Sequence, residues 1–105
     1  MESKLVQSNR MYCDFRRYLD VVCKVTGEDE SSILKAHRYP FSHYRGIIAL
    51  YLRDAGYTLR DIGNAFNRDH VTIKLAIENV KGSADNPTKQ DVYQVWQKCN
   101  REIAQ

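Results

Sequence analysis

Between Arg68 and Lys74 the chain reads Arg-Asp-His-Val-Thr-Ile-Lys, which sets a guanidinium, a carboxylate, an imidazole, a hydroxyl and an ammonium close together. Such a mixture could do two kinds of chemistry. One is acid–base or nucleophilic catalysis, for which Asp69 and His70 are the obvious pair. Adjacent residues on a helix point about 100° apart, however, and no nucleophile or second carboxylate converges with them. The other is recognition of a polar, anionic surface, in which such side chains bond base edges and phosphate oxygens. The second fits the residues better, and the chain is not expected to be an enzyme.

The elements that must position these residues are helical. Nothing alternates with period two for long enough to form a sheet, there are no repeats, and the spacing predicts an all-α bundle of about six helices in one domain, residues 1–105. Residues 8–25 carry Phe15, Tyr18, Leu19, Val22 and Val25 along one stripe, with Gly27 suited to end the helix. A short helix over Glu28 to Lys35 leads with acids. The following segment, about residues 35–43, contains Pro40 and reads as a loop bearing Lys35, His37 and Arg38. Tyr44 to Ala55 aligns Tyr44, Ile47, Ile48, Tyr51, Leu52 and Ala55 on one face, and Gly56 stops it. Thr58 then caps a helix with Leu59, Ile62 and Phe66 inward. Asn67-Arg68 breaks that helix, and a new one starts near Asp69 with Ile73, Ala76, Ile77 and Val80 inward. Lys81 to Asn86 reads as a loop, and about 88–103 closes the fold with Val92, Val95, Trp96, Cys99 and Ile103 on a stripe.

Two short helices joined by a tight turn, about residues 58–81, have the plan of a helix-turn-helix, in which the second helix can enter a DNA major groove. At about 100° per residue, Val71 and Leu75 fall opposite the Ile73 side of that helix, among Thr72, Lys74, Glu78 and Asn79. Aliphatic side chains turned away from the core call for a partner, either thymine methyl groups or another protein.

Composition agrees with a small folded domain. Hydrophobic residues make up 43% and charged residues 28% of the chain, and its rings supply the buried area that disorder lacks. The formal charge is +3, and from Lys35 to Lys74 seven Lys and Arg stand against three Asp, so the excess is central. No apolar run is long enough for a membrane span, and MESKLVQSNR lacks the apolar centre of a secretory signal. Cys13, Cys23 and Cys99 cannot all pair and show no zinc spacing; they are expected to be reduced thiols of a cytoplasmic protein, Cys13 and Cys23 as helix-core residues.

The stretch YRGIIALYLRDAGYTLRDIGNAFNRDHVTIKLAI, Tyr44 to Ile77, resembles the C-terminal DNA-binding domain of the bacterial replication initiator DnaA. The matching features are Arg45 opening an apolar helix, Thr58-Leu59-Arg60-Asp61-Ile62-Gly63, and Arg68-Asp69-His70-Val71-Thr72-Ile73. The order of elements agrees over about residues 10–103. The resemblance implies a helical domain that reads a short duplex site as a monomer, in a bacterial or phage setting of replication, transcription control or a mobile element. It further implies Arg45 in the minor groove, Asp69, His70 and Val71 at base edges, and Thr72 with Lys74 on the backbone. Lys35, His37 and Arg38 would meet phosphates, and Arg68 belongs to the motif. The family usually has Thr or Ser where Val71 stands, and basic residues are common where Glu78 and Asn79 stand. There is no GxxxxGK[ST], so no nucleotide or other cofactor is expected, and the chain looks like a stand-alone relative rather than a complete initiator. The competing expectation is a protein-interaction module that kept this fold without DNA, using the outer face of helix 69–81. Single-stranded or RNA binding is the weakest of the three, for want of an exposed aromatic platform.

Overall fold

The computed structural model describes residues 4–104, with side chains from Arg10 onward. Met1–Ser3, part of the segment read for a secretory signal, lie outside the described residues. Among the described residues six α-helices follow one another: α1 (Lys4–Thr26), α2 (Glu30–Lys35), α3 (Phe41–Asp54), α4 (Leu59–Phe66), α5 (His70–Gly82) and α6 (Gln90–Ala104). Two 3-10 turns, Ser83–Asp85 and Pro87–Lys89, link α5 to α6, where the sequence had suggested only a loop. Among the described residues there is no strand, and no helix is long and apolar enough to cross a membrane. The Cα radius of gyration is 13.3 Å, close to the value of about 13 Å for a folded domain of this length.

α3 is the axis of the molecule. Its sequence Gly46 to Leu52 is apolar on every side except Tyr51, and a helix of that kind must be surrounded. Accordingly Ile47, Ile48, Ala49, Leu50 and Leu52 are all buried, against Leu19 and Val22 of α1, Ile33 of α2, Ile62 and Phe66 of α4, Ile73, Ile77 and Val80 of α5, and Cys99 of α6. The single buried face expected for this helix was therefore too narrow. It also begins three residues earlier than expected. Pro40 sits at its N-cap and accepts from the backbone N–H groups of His43 and Tyr44, a place where a missing N–H costs nothing. Phe41 is drawn into the core with the first turn, and the basic loop shortens to residues 36–40.

The start and end signals behave as their chemistry dictates. Gly27 and Gly56 take positive φ, 74° and 105°, after α1 and α3. Asp29 caps α2, its carboxylate accepting from the Ser32 N–H and hydroxyl at 3.2 and 2.7 Å. Arg16 reaches Glu30 across the α1–α2 hairpin at 2.6 Å and Asp20 one turn further along α1 at 2.9 Å, so the guanidinium holds the Glu30 carboxyl below its ordinary range.

The cysteines are all free. Cys13 is exposed rather than part of the core, because it lies off the Leu19–Val22 stripe; Cys23 is half-buried and Cys99 is the enclosed one. Burial pushes the Cys99 thiol up to about 12, which keeps it a neutral packing residue at ordinary pH.

Candidate nucleic-acid interface

α4 and α5 form the expected two-helix unit, and each of its corners has a local cause. Thr58 accepts from the Asp61 N–H at 3.1 Å while the Asp61 carboxylate accepts from the Thr58 N–H at 3.3 Å, a reciprocal capping box. Asn67 ends α4 in the left-handed region, φ 56° and ψ 47°, which Asn tolerates better than most residues. The Arg68 N–H then returns to the Gly63 carbonyl at 2.8 Å, the closing bond of a Schellman turn. A Cβ at Gly63 would lie 2.6 Å from the Arg68 carbonyl oxygen, so glycine is what permits the turn to be this tight. α5 starts at once, capped by Asp69, whose carboxylate accepts from the Val71 N–H at 2.8 Å.

Asp69 is thus occupied at the helix start, although its side chain stays largely exposed. Being the cap, it is outside the helical register, and its carboxylate swings to 3.5 Å from His70 Nδ1. The two side chains are closer than a pure helical projection allows. Both face solvent, and among the described residues no hydroxyl or thiol is bonded to the imidazole.

Inward, α5 buries Ile73, Ile77 and Val80 against α3. The two backbones approach closely at Gly46, where a Cβ would lie 2.5 Å from the Ala76 carbonyl oxygen and 2.8 Å from Val80 Cγ2. Outward, His70, Val71, Thr72, Lys74 and Leu75 are all exposed. Val71 is 53% and Leu75 55% exposed, as the helical phase requires. Glu78 faces solvent one turn further on, and exposed Lys81 stands in the last turn.

The arginines divide differently from expectation. Arg45, expected in a minor groove, is 6% exposed. Its Nη1 donates to the Ile33 and Ala36 carbonyls at 2.9 and 2.7 Å. Burial, and then the neighbouring Arg68 guanidinium, pull it below its ordinary value. Arg68 Nη2 donates to the Leu34 carbonyl at 3.2 Å. Two guanidiniums therefore cap the carbonyl end of α2, where unpaired C=O groups and the helix dipole favour cations. The placement of Arg45 as a groove contact is corrected on this geometry: it ties α3 to α2. The helical phase held the signal, since Arg45 shares its face of α3 with Ile48 and Leu52, both fully buried.

This tie has a geometric consequence. Arg68, just before α5, is bonded to the last turn of α2, and α2 ends on Lys35 and runs into His37 and Arg38, all three exposed. The segment before α5 is thereby tied to the last turn of α2, which leads into the basic loop. The loop's far end is pinned as well. The Tyr39 hydroxyl donates to Asp91 at 2.6 Å, Lys89 Nζ lies 4.1 Å from the Tyr39 ring centroid, and the Arg38 guanidinium stacks 4.9 Å over Phe41. Among the described residues, Lys35, Arg38 and Lys74 make no ion pair, and neither does Arg60, an exposed α4 cation that the sequence reading left out of the site. No group of His, Cys, Asp and Glu side chains among the described residues gathers as metal ligands.

No protein-family model, no curated protein and no solved structure matches this chain.

Proposed function

We propose that the chain binds double-stranded DNA in a sequence-dependent way, with the first half of α5 in the major groove and the α2–α3 loop against the phosphates. The observation that carries this reading is the pairing of two surfaces. His70, Val71, Thr72 and Lys74 face outward from a tightly capped helix start, and the Arg68 bond ties the segment before them to α2, whose end and following loop carry exposed Lys35 and Arg38. Groove contacts specify and phosphate contacts position; groups suited to each are present on separate elements, which the Arg68–Leu34 hydrogen bond links. Arg45 and Arg68 serve by holding that connection. The resemblance to the initiator's DNA-binding domain supports the same assignment, and asymmetric reading by a monomer follows from it.

The test is selection of bound duplexes from a random pool, followed by fluorescence anisotropy on the enriched sequence at several salt concentrations. An enriched short motif is expected. Its log K should fall against log salt with a slope of about −3, the loss for roughly three neutralised phosphates. No enrichment, together with salt-insensitive binding, refutes the proposal.

A second reading has one observation in its favour. Val71 and Leu75 are large exposed aliphatics on one face of α5, and a protein partner could cover them. In that case a partner would be retained after nuclease treatment and lost with Val71→Asp. If nuclease removes every partner, this second reading fails.

A further inference from the structure

A carboxylate beside a phosphate-binding loop is a liability, because it repels the polyanion that the loop attracts. Asp91, exposed in the first turn of α6, is in that position. The helix dipole favours an acid there; what sets Asp91 apart is the 2.6 Å bond it accepts from the Tyr39 hydroxyl, 52 positions earlier. Tyr39 directly follows Arg38 in the α2–α3 loop. That loop is held at three points. At its start the Arg45 guanidinium donates to the Ala36 carbonyl at 2.7 Å. In its middle the Arg38 guanidinium stacks 4.9 Å over the Phe41 ring. Near its end Tyr39 has three neighbours: Asp91 on its hydroxyl, Lys89 Nζ 4.1 Å from its ring centroid, and the His43 ring edge-on at 5.1 Å. Arg45, Phe41 and His43 all belong to α3, the helix the loop leads into. Only Lys89 and Asp91 anchor the loop to a distant part of the chain.

We propose that Tyr39 and Asp91 are positioning residues for DNA binding: their hydrogen bond orders the α2–α3 loop in advance, so that Arg38 meets a phosphate without first losing conformational freedom. Surface loops are ordinarily mobile, and ordering one on binding weakens the complex. The inference rests on the DNA-binding reading and adds a control point on α6 that acts through the loop. Asp91 then has two opposed effects. Its charge disfavours an approaching phosphate, but an exposed charge is screened within about 10 Å at ordinary salt, and Lys89 stands close enough to offset it. Its bond favours binding, and a hydrogen bond to an ionised acceptor is about twice as strong as one between neutral groups. The bond therefore outweighs the charge.

The experiment compares the full chain with Asp91→Ala, Asp91→Asn and Tyr39→Phe, each checked by thermal melting for an intact fold. Binding of the enriched duplex is measured by anisotropy, and loop order by NMR relaxation of the His37, Arg38 and Tyr39 amides. In the wild type these amides should have order parameters near 0.85, the value of about 0.85 for rigid backbone. Asp91→Ala and Tyr39→Phe should lower them toward about 0.6 and weaken binding about fivefold, the scale of one lost hydrogen bond. Asp91→Asn keeps an acceptor oxygen for Tyr39 and removes the charge, so it should keep the loop ordered and bind at least as tightly as the wild type. If Asp91 acts on DNA through its charge alone, Asp91→Ala and Asp91→Asn both tighten binding, and the inference is overturned. Unchanged binding by Asp91→Ala, equal weakening by Asp91→Asn, or a loop already mobile in the wild type overturns it as well, leaving DNA binding intact. Failure to enrich any duplex overturns the DNA-binding reading and the positioning role together.

Discussion

The inner and outer faces of α5 are built from similar residues and serve opposite ends. Inward, Ile73, Ile77 and Val80 meet α3 so closely that the facing position, Gly46, has no room for a side chain. Outward, Val71 and Leu75 are as apolar but stand in solvent among His70, Thr72 and Lys74. The cations divide in the same way. Arg45 and Arg68 turn to the carbonyl end of α2, whereas Lys35, Arg38 and Lys74 carry exposed charge. Residue type alone therefore does not separate the groups that hold the fold from those left exposed; the side of the seam on which a group lies does. Changes on the inner side should alter stability and leave the outer chemistry in place, and changes on the outer side should do the reverse.

The strongest challenge to that division is Gly46→Ala. Its Cβ would meet a backbone oxygen that cannot rotate away, and a loss of about 3 kcal/mol is expected, read from urea denaturation. A loss below about 0.5 kcal/mol, the scale of an ordinary surface change, would show that the α3–α5 seam yields easily. Next is Arg45→Met, which keeps volume but leaves the Ile33 and Ala36 carbonyls without their donor. The expected cost is about 2–3 kcal/mol, and the folded fraction should keep more of its DNA affinity than the outer-face variant described next. Unchanged stability with lost binding would return Arg45 to the outer side of the comparison.

Lys35→Ala with Arg38→Ala tests that outer side. Stability should move by less than about 0.5 kcal/mol, while the salt slope of binding should shrink by about 2, one for each lost phosphate contact. The smallest effect concerns the clip that holds the loop to α6. Burial first, and Lys89 second, keep the His43 imidazole below its ordinary value of 6.5, with Asp91 opposing. The unfolded chain then takes up a proton at higher pH than the folded one. His43's contribution is complete above pH 6.5 and is lost as pH falls through its folded value. The Tyr39 hydrogen bond holds Asp91 below its ordinary range, and Arg16 does the same for Glu30, so their contributions disappear at still lower pH. The urea midpoint should therefore decline on acidification, and His43→Gln should flatten the first part of that decline.

Much of the frame was legible because its causes are local. Thr58 and Asp61 cap α4, Asp69 caps α5, and Gly56 closes the turn after α3, each through groups within a few residues of one another. The outward placement of Val71 and Leu75 follows from helical phase and a single inward residue, Ile73. Legibility failed where the partner was remote. Pro40 was read as a loop marker, yet the burial of Phe41 carries α3 back to it. Cys13 was placed in the core because it lies in an amphipathic helix, but its own phase turns it to solvent. The bonds of Arg45 end on backbone carbonyls of another helix, and backbone groups leave no mark in a sequence.

By itself, then, the sequence determined that this is an all-α chain of about six helices, the caps of α4 and α5, and which side of α5 faces out. These follow from propensity, capping and a 3.6-residue period, all of which act within about two turns. Only the tertiary structure decided which cations remain outside. That depends on where the carbonyl end of α2 docks between Arg45 of α3 and Arg68 after α4, which is a matter of packing across the fold. The same docking ties the residue before the α5 cap to the last turn of α2, two segments that the sequence separates by some thirty residues.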